Sequence, residues 1–490
     1  MFQARHWLRL FSYSLVVPIL STTLNATSAY GISLSNSLSI DGETTDLYPF
    51  NGSSANVNRL GGFFSDLYYD RQNNVYYGLA DRGPGGGVIS YETRVQKFSL
   101  DVDQNTGAIS NFNLLDTIQF TKGAENYNGL NPKLLNGDAG TLGLSFDPEG
   151  FAVASNGNFY VADEYGPSVY EFGANGAFIR AFATPKNLVP QAGSSVNYVD
   201  GRPIITSGRQ DNRGFEGLTV NPDGTKLFAI MQDPLVNEGS PDGRRSPNLR
   251  LVEFDTTTAE SVAQYIYTLD SLADINEQIP GTENDFGSNS QGRNIGVSAI
   301  TALNENEFLV LERDNRGLGV EDATGSLPIG SKRVYKIDLT EATNVSDVSL
   351  ANTNTLPSGV TAVSKSLFLD IAATLQDAGQ VVPEKLEGIA VSPQLADGSY
   401  AVLIGTDNDF SVTQTGSGTQ LDVCTNGIQV DIDTGCPTGS TLIPTYLYSL
   451  KASSAELEGF VPQAEVPEPS ATTGVILLGL GGWWLKRRQS

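Results

Sequence analysis

One unit recurs five times along the middle of this chain: an acidic-Gly or small-residue step, an alternating strand, a turn, a second strand, and a polar cluster of Asp, Glu, Arg and Gly. The instances begin at Gly61 (GGFFSDLYYDRQNNVYYGLADRGPGG), Asp147 (DPEGFAVASNGNFYVADEYGPSVYEF), Gly214 (GFEGLTVNPDGTKLFAIMQDP), Gly296 (GVSAITALNENEFLVLERDNRG) and Lys385 (KLEGIAVSPQLADGSYAVLIGTDND). Apolar residues alternate inside each unit, as at Leu218, Val220, Leu227 and Ala229 around Asn221-Pro222-Asp223-Gly224. That pattern is a β-hairpin, with Pro and Gly meeting the turn's backbone angles. A third strand often follows, at Arg94–Phe98, Leu249–Phe254 and Arg333–Ile337.

Successive units start roughly 65 to 90 residues apart, longer than common propeller repeats, so long loops must be inserted between strands. The expected architecture is all-β: a β-propeller over residues 30–460. Six blades are expected in preference to five or seven, the sixth built from Ile32–Ile40 joined to Thr441–Leu450. The loop-rich stretches Ala192–Gly208 and Asp274–Arg293 then become surface insertions rather than linkers. The 52 Gly and 23 Pro fit so many turns.

Both ends read as addresses. Arg5 and Arg9 precede the apolar stretch FSYSLVVPILSTTL, and Thr27-Ser28-Ala29 offers a small-residue cleavage site, the pattern of a secretory signal peptide over residues 1–29. An uncleaved anchor or a buried first strand is the weaker reading, because the run is short and Pro18 interrupts it. At the other end, Val466-Pro467-Glu468-Pro469-Ser470 is followed by ATTGVILLGLGGWWL and then Lys486-Arg487-Arg488. Motif, apolar segment and basic stop resemble a PEP-CTERM sorting signal over residues 461–490, the tail that exosortase recognises in Gram-negative bacteria. Processing of such a tail implies transient membrane association through that segment; a plain C-terminal anchor is the alternative. The resemblance implies a protein of the cell surface or extracellular matrix.

Histidine sets the hardest chemical limit. His6 is the only one and lies in the expected leader, which excludes Ser-His-Asp and Cys-His catalysis and His-bearing zinc or iron sites. A net charge of −25 disfavours nucleic acid and suits cations. Cys424 and Cys436, twelve positions apart, are expected to form one disulfide in an exported chain; a metal site would need more soft ligands. No Walker A or dinucleotide fingerprint occurs.

Several motifs together resemble the phytase-like family, described as having esterase-like activity of phytase. They are Asp147-Pro148-Glu149-Gly150, Ala162-Asp163-Glu164-Tyr165-Gly166-Pro167, Arg213-Gly214-Phe215-Glu216-Gly217-Leu218, Leu311-Glu312-Arg313-Asp314 and Pro383-Glu384-Lys385-Leu386-Glu387-Gly388. The resemblance runs from about Leu60 to Asp409 and implies a hydrolase without defining its substrate.

Glu149, Glu216 and Glu387 hold the same place in three repeats, so propeller symmetry should converge them at one end of the central channel. Like charges so gathered need a cation, an Arg or Lys, or protonation. Calcium is the natural choice for oxygen ligands without histidine. A second tier follows the next strand: Asp81-Arg82, Asp163-Glu164, Glu312-Arg313-Asp314 and Asp407-Asn408-Asp409. Arg82, Arg213, Arg313 and Lys385 are the candidates to neutralise acids or hold phosphate. With neither G-x-S-x-G nor a histidine base, carboxylic-ester cleavage is disfavoured and a calcium-dependent phosphoesterase expected. Its catalytic set is Glu216, Arg213, Arg313 and Lys385, and its metal set Glu149, Glu216 and Glu387. The alternative is a non-catalytic, calcium-stabilised binding protein of the surface or matrix.

Processing at both ends would remove Trp7, Trp483 and Trp484, the chain's three tryptophans. Surface-released protein is therefore expected to fluoresce from tyrosine alone. Mass spectrometry detecting Trp483-Trp484 in that material would refute cleavage.

Overall fold

The computed structural model describes residues 31–48, 55–415 and 419–463. The expected leader and the motif from Val466 onward lie outside the described residues. Alternating strands and tight turns produce an all-β structure. β1 (Ser33–Ile40) comes first. β2 (Asp66–Asp70), β3 (Val75–Leu79), β4 (Arg94–Val102) and β5 (Ile109–Gln119) form one antiparallel sheet in chain order. β6 (Pro148–Val153), β7 (Phe159–Asp163), β8 (Ser168–Phe172) and β9 (Phe178–Ala181) form a second. β10 (Phe215–Val220), β11 (Lys226–Met231), β12 (Asn248–Asp255) and β13 (Ser261–Thr268) form a third. β14 (Ile295–Ala302), β15 (Glu307–Asp314), β16 (Lys332–Asp338) and β17 (Ser364–Asp370) form a fourth. β18 (Lys385–Gln394), β19 (Tyr400–Asp407) and β20 (Thr445–Ala452) complete a fifth together with β1.

The hairpins follow their turn chemistry. Between β10 and β11, Gly224 takes φ +76, Thr225 N–H donates to Asp223 Oδ1 at 2.9 Å, and Lys226 N–H donates to Asn221 Oδ1 at 2.9 Å. Asx contacts of this kind fix the turn without help from the core. The third strands expected at Arg94, Leu249 and Arg333 are β4, β12 and β16.

A sixth four-stranded sheet does not appear among the described residues. The two chain ends do pair, with Ser39 opposite Tyr446 and Ile40 opposite Thr445. They finish the sheet begun by β18 and β19 instead of forming one of their own. The fifth unit carries only two consecutive strands. Its continuation is diverted through a small three-stranded sheet (Val412–Thr415, Thr419–Val423, Gln429–Asp431) before β20. The Cys424–Cys436 disulfide closes a loop in that diversion.

Each sheet buries its apolar residues against the next. Tyr77, Phe151 and Phe159 pack between the first and second sheets, Tyr160, Phe215 and Leu227 between the second and third, and Phe228, Val297 and Phe308 between the third and fourth. Leu309, Val334 and Ile404 join the fourth to the fifth, and Phe64, Tyr76 and Leu403 join the fifth back to the first. Each such side chain contributes about 1.5–3 kcal/mol by burial. The first strands make the same circuit: β2 lies against β6, β6 against β10, β10 against β14, β14 against β18, and β18 against β2.

That inner contact is close enough to demand glycine. A Cβ on Gly150 would stand 2.7 Å from the backbone N of Leu218, one on Gly217 2.8 Å from that of Ile300, and one on Gly388 2.9 Å from that of Leu67. These are the glycines of the repeated Glu-Gly steps. Gly217→Ala is expected to destabilise by about 1–3 kcal/mol, because the clash is with backbone that cannot rotate away. Gly287→Ala, with open space around it, should be close to neutral in the same denaturation measurement.

Candidate functional site

The glutamates before those glycines owe their direction to a local defect. The pairing ladder skips Glu149 between Pro148 and Gly150, Glu216 between Phe215 and Gly217, and Glu387 between Leu386 and Gly388. A β-bulge re-aims the extra residue's side chain. All three glutamates line one cavity of about 410 Å³. The fourth sheet has a register shift at the corresponding step, between Val297 and Ala299, and Ser298 lines the same cavity.

Of the residues singled out in the sequence, Asp81, Arg82, Glu164, Arg213, Arg313, Glu384, Lys385 and Asp409 also line this cavity. Glu312 and Asp314 do not. Glu312 accepts from Lys365 Nζ at 2.6 Å and from Tyr267 Oη at 2.8 Å, and Asp314 holds the buried Lys332 ammonium at 2.9 Å. Asp163 accepts backbone N–H groups from Asp147, Tyr165 and Gly166 and serves its turn.

Charge is distributed unevenly around the wall. Arg313 pairs with Glu387 and donates to Ser298 Oγ at 2.7 Å. Lys385 Nζ reaches Asp407 at 2.9 Å and Asp409 at 2.6 Å, and Arg82 reaches Asp147 at 3.1 Å. Glu149 has no hydrogen bond or ion pair among the described residues. Glu164 Oε1 and Glu216 Oε2 are buried without a hydrogen-bond partner. Burial, and then the charge of Glu216 foremost among its neighbours, holds the carboxyls of Glu149 and Glu164 well above the usual range. Burial and the Glu387 charge push Glu216 up to about 8.

Asp147, Glu149 and Glu164 can present oxygens that all lie within 4.8 Å of one another. Glu149 and the unpartnered Oε1 of Glu164 fit an oxygen-bound cation such as calcium, and Asp147 would share its carboxylate between that cation and the Arg82 guanidinium. The expected set of Glu149, Glu216 and Glu387 shares the cavity, but Glu149 groups with Asp147 and Glu164, while Glu387 is engaged by Arg313. A second acidic group, Asp81, Asp407 and Asp409, already has the Lys385 ammonium beside it.

Backbone strain gathers at the same cavity. Asp409, Phe410 and Ser411 have φ of 49, 56 and 56, and Asn212 has φ 50. Left-handed conformations cost non-glycine residues about 1–2 kcal/mol each, so the surroundings must enforce them. Asn408 Oδ1 accepts from Phe410 N at 3.0 Å while its Nδ2 donates to Ile443 O at 2.8 Å. Ser411 Oγ donates to Val423 O at 2.7 Å and accepts from Ile443 N at 2.8 Å.

Sequence reasoning missed Asn212, Gln232, Arg293 and Asn294, which also line the cavity. Asn212 and Arg293 arrive on the connections between sheets, where no repeat marks them. Gln210 Nε2 ties these connections together, donating to Pro234 O at 3.0 Å and Gly292 O at 2.9 Å.

A family model described as phytase-like, esterase-like activity of phytase, matches residues 58–410. A protein of Arthroderma benhamiae described as an uncharacterized secreted protein is 27% identical, covering 84% of this chain and 97% of its own length. Among solved structures, hydrazine synthase of Kuenenia stuttgartiensis is similar at 11% identity over 74% of this chain and 80% of its own, with a TM-score of 0.28. A luciferin-regenerating enzyme is similar at 11% identity over 80% and 92%, with a TM-score of 0.29. Both superpose too loosely to carry an activity across.

The raised carboxyls fix the sign of a pH dependence. A carboxyl whose pKa rises on folding stabilises the fold fully below its unfolded value, and that contribution is lost as pH rises through the folded value. Glu216 rises from 4.5 to about 8, and Asp233 and Glu384, both chiefly through burial, each reach about 7. In chelator, the melting temperature should therefore fall between about pH 5 and pH 8. Added calcium should restore most of the loss at pH 8 and little at pH 5, as read by calorimetry.

Proposed function

Because the chain belongs to the phytase-like family, we propose that it is an exported phosphoric ester hydrolase working with a bound calcium ion. The observation that carries this reading is the coexistence, in one cavity, of carboxyl groups with no ion-pair partner (Glu149, Glu164, Glu216) and guanidinium groups. Export is supported by the N-terminal leader pattern and by the description of the relative as secreted. The C-terminal tail is read as a PEP-CTERM signal processed by exosortase, which would place the protein at a Gram-negative cell surface or matrix. The closed circuit of first strands supports reading the five sheets as blades of a propeller, with the cavity at one end of its axis.

Asp147, Glu149 and Glu164 are the residues that would hold the ion. When bound, calcium supplies Lewis-acid polarisation of the phosphoryl oxygens. The remaining steps fall to this chain's own side chains. Glu384, whose carboxyl burial raises only to about 7, takes a proton from the attacking water as the new P–O bond forms. The ester P–O bond breaks, and the departing alkoxide takes a proton from Glu216, whose Oε2 is unpartnered and whose carboxyl is pushed up to about 8 by burial and the Glu387 charge. Arg313 orients Glu387, and Lys385 holds Asp407 and Asp409, so both act as positioning residues at the rim.

Glu164→Gln is expected to weaken calcium binding by about tenfold or more, since it removes a full ligand charge. Glu216→Gln should lower kcat by about 10²-fold or more with a smaller effect on calcium affinity. Isothermal titration and phosphate release measure the two. If phosphomonoester, phosphodiester and phytate all go unhydrolysed with calcium from neutral to alkaline pH, the hydrolase reading fails. A calcium-stabilised binding protein then becomes the better account.

A further inference from the structure

The cations that the repeat motifs supply are largely occupied. Arg82 is paired with Asp147, Arg313 with Glu387, and Lys385 with Asp407 and Asp409. Two cavity-lining guanidinium groups are not satisfied in this way. Arg213 Nε is buried with no hydrogen-bond partner, and its nearest carboxylate oxygen, on Asp233, is 3.6 Å away. The Arg293 side chain, half-buried in the same wall, has no hydrogen bond or ion pair among the described residues.

These two side chains are neighbours of like charge. Burial first, and the charge of Arg213 next, lower the Arg293 pKa. Asp233 offers only partial relief, because neither of its buried oxygens accepts a hydrogen bond. Arg244, whose Nε is also buried and unpartnered, adds to the repulsion felt by Arg293. Asp233 and Asp211 lie near these guanidinium groups without hydrogen-bonding to them, so N–H donors remain free, and the planar forks suit the oxygens of a tetrahedral oxyanion.

We infer that Arg293 and Arg213 form an anion clamp for the terminal phosphate of a phosphomonoester. Two guanidinium charges match the dianion of a monoester better than the single charge of a diester. The clamp rests on the hydrolase reading for its substrate class, but its anion binding can be measured without turnover.

The test uses the mature full-length protein with calcium present and inorganic phosphate as probe, followed by isothermal titration. Phosphate should bind the wild type, and Arg293→Gln should weaken it by about tenfold or more while leaving calcium affinity and melting temperature close to wild type. Arg293→Lys should recover only part, because the charge returns without the fork. On esters, Arg293→Gln should raise KM for a phosphomonoester more than for a phosphodiester. Phosphate that fails to bind the wild type, or binds Arg293→Gln equally well, overturns the clamp even if hydrolysis is observed. Phosphate that binds through Arg293 without any ester being cleaved sustains the clamp and removes the hydrolase reading.

Discussion

Everything in this molecule hangs on how closely the first strands of adjacent sheets approach one another. At Gly150, Gly217 and Gly388 the neighbouring backbone leaves no room for a Cβ. At three junctions of the closed circuit, β6 with β10, β10 with β14 and β18 with β2, the strands are therefore drawn in to main-chain contact. The residue before each of these glycines is a glutamate displaced by a bulge, so the contact that closes the circuit also delivers three carboxylates to one cavity. Structure and site share one cause, and the Glu-Gly dipeptide is its sequence form.

Gathering those acids is electrostatically unfavourable, and the protein offsets the cost unevenly. Glu387 receives Arg313, and Asp147 receives Arg82, while Glu149 and one oxygen each of Glu164 and Glu216 are left without a partner. A wall neutralised throughout would be a structural ladder between sheets. A wall in which Glu149 and Glu164 have no paired cation, Arg293 has no bonded carboxylate and Arg213 keeps only a 3.6 Å approach to Asp233 is incompletely matched, and such a cavity suits a ligand carrying both a cation and an anion. The left-handed run Asp409-Phe410-Ser411 at its edge has the same character, since strain persists only where surrounding contacts enforce it.

The local features were legible in the sequence because they depend on neighbours in the chain. The hairpin around Asn221-Pro222-Asp223-Gly224 needs only its own side chains, and the third strands at Arg94, Leu249 and Arg333 follow their hairpins directly. The number of sheets was not legible. Pairing of the chain ends was anticipated, but whether they found a new sheet or finish an old one depends on where the chain goes after Asp407. The disulfide-bearing diversion between Val412 and Thr445 hides that continuation. Repetition likewise pointed to the glutamates and to Arg213, whereas Arg293 comes from an insertion with no counterpart in the other repeats.

The two ends of the strand circuit differ in a way that favours chemistry at one of them. The far ends of all five first strands, including Tyr68, Val153, Val220, Ala302 and Val391, surround a smaller cavity of about 170 Å³. The segment from Phe460 to Gln463 lies across it. Val461 N–H donates to Leu303 O at 2.7 Å, Gln463 Nε2 donates to Val153 O at 3.1 Å, and Phe460 packs on Tyr400 at 5.2 Å and under the Arg71 guanidinium at 5.1 Å. These contacts reach four different sheets, so the chain's last described residues staple that end, while the glutamate end keeps its charged wall. The staple covers one end with backbone and aromatic contacts, whereas the end where β6, β10 and β18 begin is lined by charged groups, some of them without a partner.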